Sequence, residues 1–431
     1  MRIRDSLSGE LRELRPGADG AIGMYVCGPT VYNRIHVGNA RPYVVFQLMK
    51  RYLEWRGQPV LLVENITDIN DKIYAAAVDQ GVASDALARE MAEAYIADTD
   101  LLGLGRPDRE PLASETMAGI VALIEELIAG EHAYQAGGDV YFAVRSFDRY
   151  GMLSNQRIDQ LLEGAGSSEP GEHKRDPLDF ALWKGNKPGE DTWWESPWGR
   201  GRPGWHIECS AMAERWLGRE FALHGGGRDL IFPHHENEVA QSRSLGHGFA
   251  QLWMHNGMLR LSGEKMSKSL GNIVSLREAL DEWGRETLLV YFLGGHWRKP
   301  VDYSDEVLEQ AAAQAESFRN VFRSEPGEGG DWDTFAAALD DDFNTPEALA
   351  VMHGWRDPEL LRRGLEVFGL DSLAEGAEAP AELEELARAR VEARNRKDFE
   401  TSDRLRDEIA AAGWVVRDVE AEPGFQLVPK Q

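Results

Sequence analysis

Two short stretches constrain this chain more than anything else in it. Lys265-Met266-Ser267-Lys268-Ser269 is a lysine-bearing run flanked by Gly263 and Gly271, and His36-Val37-Gly38-Asn39 lies far upstream of it. Each is ordinary alone, since a run of Lys and Ser is commonly a solvated loop and His-x-Gly arises by chance. In this order they suit the two halves of one nucleotide site. Attack on the α-phosphate of ATP drives negative charge onto the β and γ oxygens as pyrophosphate leaves. Lys265 and Lys268, on a loop freed by two glycines, are candidates to hold that charge in the transition state. His36, Gly38 and Asn39 sit where a helix is expected to begin, and the N–H groups and positive dipole end of a helix N-terminus suit a phosphate. No Gly-x4-Gly-Lys-Ser/Thr occurs, so this is not a Walker loop.

The hydrophobic pattern supplies a fold for such a site. Met24-Tyr25-Val26-Cys27 reads as a short buried strand, broken by Gly28-Pro29-Thr30. A helix is expected from about Pro42 to Arg56, with Val45, Phe46, Leu48, Met49, Tyr52 and Leu53 at helical spacing and Gly57 as its stop. Val60-Leu61-Leu62-Val63 then suits a strand covered on both faces. This βαβ unit fits a nucleotide-binding α/β fold. Helices are expected over 83–102 and 115–129, and a strand over 140–144. Residues 146–204, with clusters of Gly, Pro and Trp, read as irregular and as an insertion. From 205 the α/β character resumes: Trp205 opens a helix, 221–224 form a strand, and the apolar run 288–293 suits a strand or a buried helix. Beyond Val307 the tail reads as helical, with an Ala/Glu-rich stretch over 373–394 as part linker.

Composition narrows the class. A chain of 431 residues allows two to four domains, and 42% hydrophobic with 28% charged residues is ordinary for a globular protein. It contains neither a long apolar span nor a signal peptide, so a cytoplasmic location without a membrane is expected. The net charge of −26 argues mildly against a nucleic-acid partner, but charge acts locally and an acidic surface can surround a basic groove. Two cysteines argue against a disulfide scaffold.

Those cysteines, Cys27 and Cys209, each lie beside one half of the expected site. Downstream, His234 and Glu238 are four apart and share a face if helical. Two thiolates, an imidazole and a carboxylate would suit zinc. Spacing alone supports equally well two buried structural cysteines and a polar helix start, because there is no C-x-x-C.

Seven motifs together give a family resemblance. The runs MYVCGPTVY at 24–32, NITD at 65–68, PGWHIECSAM at 203–212, HGGG at 224–227 and FPHHENE at 232–238, with the His36 and Lys265 motifs, resemble cysteinyl-tRNA synthetases over about residues 24–275. The tail is similar too: DDFNTPEAL at 341–349, KDF at 397–399 and SDRLRDE at 402–408 before Gly413. The resemblance implies an α/β protein, with a Rossmann-like parallel-sheet catalytic core, a connective insertion, a C-terminal α-helical bundle and a small tRNA-binding end. Its expected parts are core halves at 1–110 and 205–295, an insertion at 111–204, a stem-contact region at 296–335, a helical bundle at 336–380 and an anticodon-binding region at 381–431. It also implies one Zn2+ per chain on Cys27, Cys209, His234 and Glu238, ATP as substrate together with Mg2+, and L-cysteine and tRNA(Cys) as partners of a monomer.

The chemistry then expected needs no enzyme nucleophile. The cysteine carboxylate attacks the α-phosphate of ATP, and the acyl group passes to the terminal adenosine of the tRNA. His36, Asn39, Lys265 and Lys268 are the expected catalytic groups, acting by alignment and charge. His36, Gly38, Asn39, Gly226, Asp229 and Lys268 are expected to hold the nucleotide, although the glycine run could be a plain turn. Gly28, Thr30, Thr67 and Trp205 are expected in the amino-acid pocket, with a core aromatic as the other reading of Trp205. Zinc would select cysteine over serine, because a thiol ionises on a metal where an alcohol gains little. Val37 stands where the family has Ile, Asn33 and Asn70 stand where it commonly has Asp, and residues 353–358 replace a longer segment. Two rival readings are a mycothiol-pathway ligase joining cysteine to an amino sugar and a non-catalytic synthetase-derived tRNA-binding protein. The SDRLRDE run and Trp414 favour a tRNA substrate over the first, and the retained lysines and metal-ligand residues favour catalysis over the second.

Overall fold

The computed structural model describes residues 1–157, 173–261, 264–265, 273–375, 380–419 and 423–429. The chain divides into two compact units, Met1–Asp371 and Ser372–Gln431.

The core of the first unit is a parallel sheet. Strand β1 (Ile22–Val26) leads through helix α1 (Val37–Trp55) to β2 (Val60–Glu64). After the insertion, helix α2 (Trp205–Leu217) leads to β3 (Glu220–Gly227), and helix α3 (Glu236–Ser244) to β4 (Phe249–Asn256). The strand order is β4-β3-β1-β2 with every pair parallel. From β1 the chain moves outward to β2 on one side and later returns to β3 on the other. The topological switch therefore lies between β1 and β3, where open α/β sheets bind ligands at their C-terminal ends. Met24, Tyr25, Val26, Leu62, Val63 and Leu223 are all fully buried, as expected of a sheet covered on both faces.

Helix α1 begins five residues before the expected Pro42, which lies inside it. Proline has no N–H to give to the Gly38 carbonyl one turn earlier, so that one helical bond is missing, and the start lies at His36–Asn39, where a helix was also expected to begin. That start is fixed at His36, whose N–H donates to Asn39 Oδ1 at 3.4 Å. The 288–293 run is helical, within Arg285–Gly294, and Leu288 to Leu293 are all buried. A helix enclosed on every side has no polar stripe, which is why periodicity left it ambiguous.

The insertion is less irregular than its composition suggests. Ala133–Ala136, Asp139–Phe142, Phe180–Gly185 and Gly201–Pro203 form a four-stranded antiparallel sheet. Phe180–Gly185 is held by its own apolar side chains, with Leu182 and Trp183 fully buried, while much of the Gly and Pro lies in the connections. The expected helices at 83–102 and 115–129 are Ser84–Asp100 and Met117–Ala129. Asp305–Phe322, Trp332–Asp340, Thr345–His353 and Pro358–Val367 continue the unit as helices.

In the second unit, helices Ala381–Asn395 and Phe399–Ala411 pack with the antiparallel hairpin Trp414–Asp418 and Phe425–Pro429. Its core is small: Ala387, Ile409, Val416 and Phe425. Much of the Ala/Glu-rich stretch is thus helix, and 376–379 lie outside the described residues. Among the described residues no helix is long and apolar enough to cross a membrane.

Candidate active site and metal centre

A cavity of about 430 Å³ opens at the switch point. Its lining includes Cys27, Gly28, Thr30, His36, Gly38, Asn39, Trp205 and Asp229, so eight residues singled out from the sequence converge there. The loop after β1 is pinned to neighbouring strands: Cys27 N–H donates to the Gly225 carbonyl at 3.1 Å and Gly28 N–H to Asn65 Oδ1 at 3.1 Å. A Cβ on Gly28 would stand 1.8 Å from the Asn65 carbonyl oxygen, so only glycine fits between the two strand ends. A Cβ on Gly38 would come within 2.9 Å of the His36 ring. Glycine there lets the imidazole lie over the first turn of α1.

Two of the expected residues do not line the cavity. Thr67 is buried, accepts a hydrogen bond from Asn65 Nδ2 at 3.1 Å, and bridges the backbone of Thr30. It supports the wall rather than forming it. Gly226 packs against His235, and its neighbour Gly227 reaches the cavity. The lysine run is partly visible. Lys265 pairs through its backbone with Arg260, and Lys268, with Gly263 and Gly271, lies outside the described residues. The chain that follows returns to the head of α1: Val37 N–H donates to the Val274 carbonyl at 3.1 Å and Leu276 N–H to the Ile35 carbonyl at 3.0 Å. Backbone hydrogen bonds therefore tie the stretch that follows the lysine run to the head of α1.

Beside the cavity is a buried cluster of metal-ligating groups. A bend at Phe232 and the first turn of α3 bring His234, His235 and Glu238 to the end of β1. Ligand atoms of Cys27, His234, His235 and Glu238 all lie within 4.8 Å of one another, and all four residues are buried. Cys27 Sγ is 3.3 Å from His235 Nε2 and 3.6 Å from Glu238 Oε1, and His234 Nε2 is 3.2 Å from the same oxygen. Cys209 joins through Cys27, with the sulfurs 3.6 Å apart and both thiols free. Tetrahedral zinc with bonds of about 2.0–2.3 Å needs donors about 3.3–3.8 Å apart. The Cys27–Glu238, His234–Glu238 and Cys27–Cys209 spacings are close to that range, while His235 Nε2 and Glu238 Oε1 are 4.0 Å apart. Cys209 is not among the four residues whose donors all lie within 4.8 Å of one another. The donor types suit zinc. The centre is thus a possible metal site. His235 is a donor that sequence reasoning missed, although its i,i+3 relation to Glu238 could have shown it.

Burial sets the charge of the cluster. It pushes both thiols and the Glu238 carboxyl upward, the last restrained by His224, whose Nε2 is 2.9 Å from Glu238 Oε2. It pushes His234 and His235 well down, which leaves neutral rings with a lone pair to offer. Outer partners orient those rings: His234 Nδ1 meets His206 Nδ1 at 2.9 Å, and His235 Nδ1 meets His255 Nε2 at 2.8 Å. Trp205 stacks on His234 with ring centres 4.1 Å apart, so it both lines the cavity and steadies a candidate ligand.

The other residues of the HHENE run are anchors. Glu236 accepts from the N–H groups of Gly151, Leu153 and Ser154 at 2.8–3.0 Å and from Ser154 Oγ at 2.8 Å. Asn237 Oδ1 accepts from the Tyr150 hydroxyl at 2.5 Å. These bonds fasten α3 to the insertion. Three further cavity residues had no sequence signal: Glu64 at the end of β2, Lys72 on the next helix and Asn256 at the end of β4. Asn70, which stands where an Asp is usual, caps that helix by accepting from Lys72 N–H at 3.1 Å.

Residues 13–313 match the family of class I (C) tRNA synthetase catalytic domains, 334–355 the DALR domain, and 377–422 the cysteinyl-tRNA ligase anticodon binding domain. A cysteine–tRNA ligase of Pseudothermotoga lettingae is 44% identical over 97% of each chain, and that of Rubrobacter xylanophilus 42% over 98% of each. Among solved structures, methionyl-tRNA synthetase of Mycobacterium tuberculosis with methionyl-adenylate is similar in fold. Its TM-score is 0.56 at 16% identity, over 81% of this chain and 88% of that one.

Proposed function

The chain belongs to the cysteine–tRNA ligase family of class I synthetases, and from that premise we propose how its cavity carries the reaction. The enzyme joins cysteine to tRNA at the expense of ATP. The observation that carries the site assignment is the convergence of the His36 motif, the Cys27 cluster and the return from the lysine run at one switch-point cavity.

Cysteine is bound between the Gly28–Thr30 loop and Trp205. ATP, with Mg2+, lies along the head of α1, its phosphates meeting His36, Asn39 and the backbone at Gly38. Asp229 takes a ribose hydroxyl, and the backbone at Gly226 approaches the adenine. Lys265 and Lys268 stabilise the departing pyrophosphate, so the chain's contribution is alignment and charge, with no covalent enzyme intermediate. Cys27, Cys209, His234 and Glu238, together with His235, would hold zinc, which would supply a Lewis acid that favours a thiolate over a neutral hydroxyl. His206, His224 and His255 orient the donors, and burial of all these groups excludes water.

The tRNA is tRNA(Cys), read by the second unit, where Arg404 and Arg406 are exposed and engaged within their own helix by Glu408 and Asp403. Such surface pairs open at little cost to phosphates. The match of 377–422 to an anticodon-binding family disfavours the amino-sugar ligase. A monomer in the cytoplasm completes the proposal. The test is cysteine-dependent ATP–pyrophosphate exchange measured beside charging of tRNA(Cys). Exchange in the absence of tRNA and charging in its presence are expected. Cysteine-dependent exchange without any charging would return the reading to the amino-sugar ligase.

A further inference from the structure

We propose that Glu64 receives the α-ammonium group of the amino-acid substrate. The inference rests on the reading that cysteine occupies the cavity, and it assigns a group that no sequence motif marks.

Glu64 is the last residue of β2, in register with Val26, which directly precedes Cys27. Neighbouring strands lie about 4.8 Å apart. The backbone of Glu64 therefore stands one strand away from that of Val26, at the end of the sheet where Cys27 follows. It lines the cavity and is only 3% exposed. Its Cγ lies 3.3 Å from where a Cβ on Gly28 would be, so it sits against the loop assigned to the amino acid.

Its bonding is half complete. Oε1 accepts from the Tyr95 hydroxyl at 2.6 Å, while Oε2 has no hydrogen-bond partner among the described residues. Arg106 is near enough to influence Glu64, but its guanidinium is engaged by Glu110, by Thr99 Oγ1 at 2.7 Å and by Asp100 at 3.2 Å. Glu110 itself adds a repulsive charge. A buried carboxylate with one bare oxygen and no bonded cation is costly unless something completes it. Consistent with that, burial raises its carboxyl to about 7.

The substrate offers one cation. The ammonium of cysteine is two carbons from its sulfur and one from its carboxyl. A molecule with its sulfur toward Cys27 and its carboxyl toward His36 therefore presents the ammonium within the same cavity. The other cavity carboxylate, Asp229, follows β3 on the far side of β1 and is assigned to the ribose. An ammonium on Glu64 Oε2 would complete a charge-assisted hydrogen bond in a dry setting.

The test compares the zinc-loaded wild-type chain with Glu64→Gln in ATP–pyrophosphate exchange, with 3-mercaptopropionate as a competitor. This compound keeps the thiol and carboxylate of cysteine and lacks the amine. Glu64→Gln is expected to raise KM for cysteine roughly tenfold or more, with kcat and KM for ATP within about twofold. Inhibition by 3-mercaptopropionate is expected to stay at the wild-type level. Equal weakening of cysteine and the analogue, or no weakening of either, would overturn the assignment. If Glu64→Gln does not fold, Glu64→Asp is read the same way, since it withdraws the oxygen and keeps the charge. Preference for cysteine over the analogue must then fall, and an unchanged preference would overturn the proposal. A wild-type chain inactive with cysteine would overturn the proposed function itself, whereas an active one with an unmoved Glu64 variant would overturn only the role of Glu64.

Discussion

The end of β1 and the head of α1 face the same cavity and are built differently. At β1, Cys27 meets Cys209 from α2 and His234, His235 and Glu238 from the turn before α3 and its first residues, all buried. These donors come from distant parts of the sequence, and the cluster exists only once the sheet has assembled. At α1 the groups come from one continuous run, His36 to Asn39, partly open to solvent except at Val37, and in the proposed function backbone N–H groups there meet the phosphates. A metal that binds the assembled cluster stabilises the folded state by linkage, so damage there reaches stability and chemistry together. Damage to the phosphate side should reach the rate and spare the fold.

The lysine run offers the largest test of that contrast. Lys268→Ala is expected to slow adenylate formation by about a hundredfold to a thousandfold, with cysteine affinity and melting temperature close to wild type. Single-turnover adenylation beside a melting curve would check it, and a variant with normal exchange kinetics would remove Lys268 from the mechanism. Next is a chain ending at Pro380. Every residue of both walls precedes this point, so cysteinyl-adenylate formation should survive while charging of tRNA(Cys) falls by tens of fold or more. Undiminished charging would show that the second unit is dispensable.

The anchor at Glu236 should show in stability. Glu236→Ala removes the acceptor of four hydrogen bonds from residues 151–154 and leaves buried N–H groups unpaired. A loss of about 3 kcal/mol in urea unfolding is expected, along with weaker zinc retention. An effect confined to higher pH comes from Glu64. Its folded carboxyl titrates at about 7 against an ordinary 4.5, so the folded state holds the proton more tightly than the unfolded one. The resulting penalty is absent below about pH 4.5, grows through the interval and is full above pH 7. Glu64→Gln should match wild type in stability near pH 4.5 and exceed it at pH 8 by up to about 3 kcal/mol. A stability difference that does not change with pH would contradict this.

What could be read from the sequence follows from where each residue lies. The β1-α1-β2 unit showed in its periodicity, whereas Cys27, Cys209, His234 and Glu238 were singled out as a ligand set only by the family resemblance, since their spacing suits buried structural cysteines equally well. Glu64 and Asn256 did not show, because a strand-end polar residue becomes a cavity wall only when the strand order is known. Glu236 was hidden for a related reason: its partners lie in an irregular stretch of the insertion, where no pattern announces a loop of N–H groups. The strand Phe180–Gly185 was masked by the Gly, Pro and Trp around it.

The central claim is that a metal held by the buried cluster both supports the fold and selects the substrate. Metal analysis of the purified chain, paired with exchange assays on cysteine and serine and repeated on Cys209→Ser, tests it most directly. The account predicts one zinc per wild-type chain, activation of cysteine and not of serine, and a parallel loss of zinc and cysteine activation in the variant. A metal-free wild-type chain that still strongly prefers cysteine would contradict it.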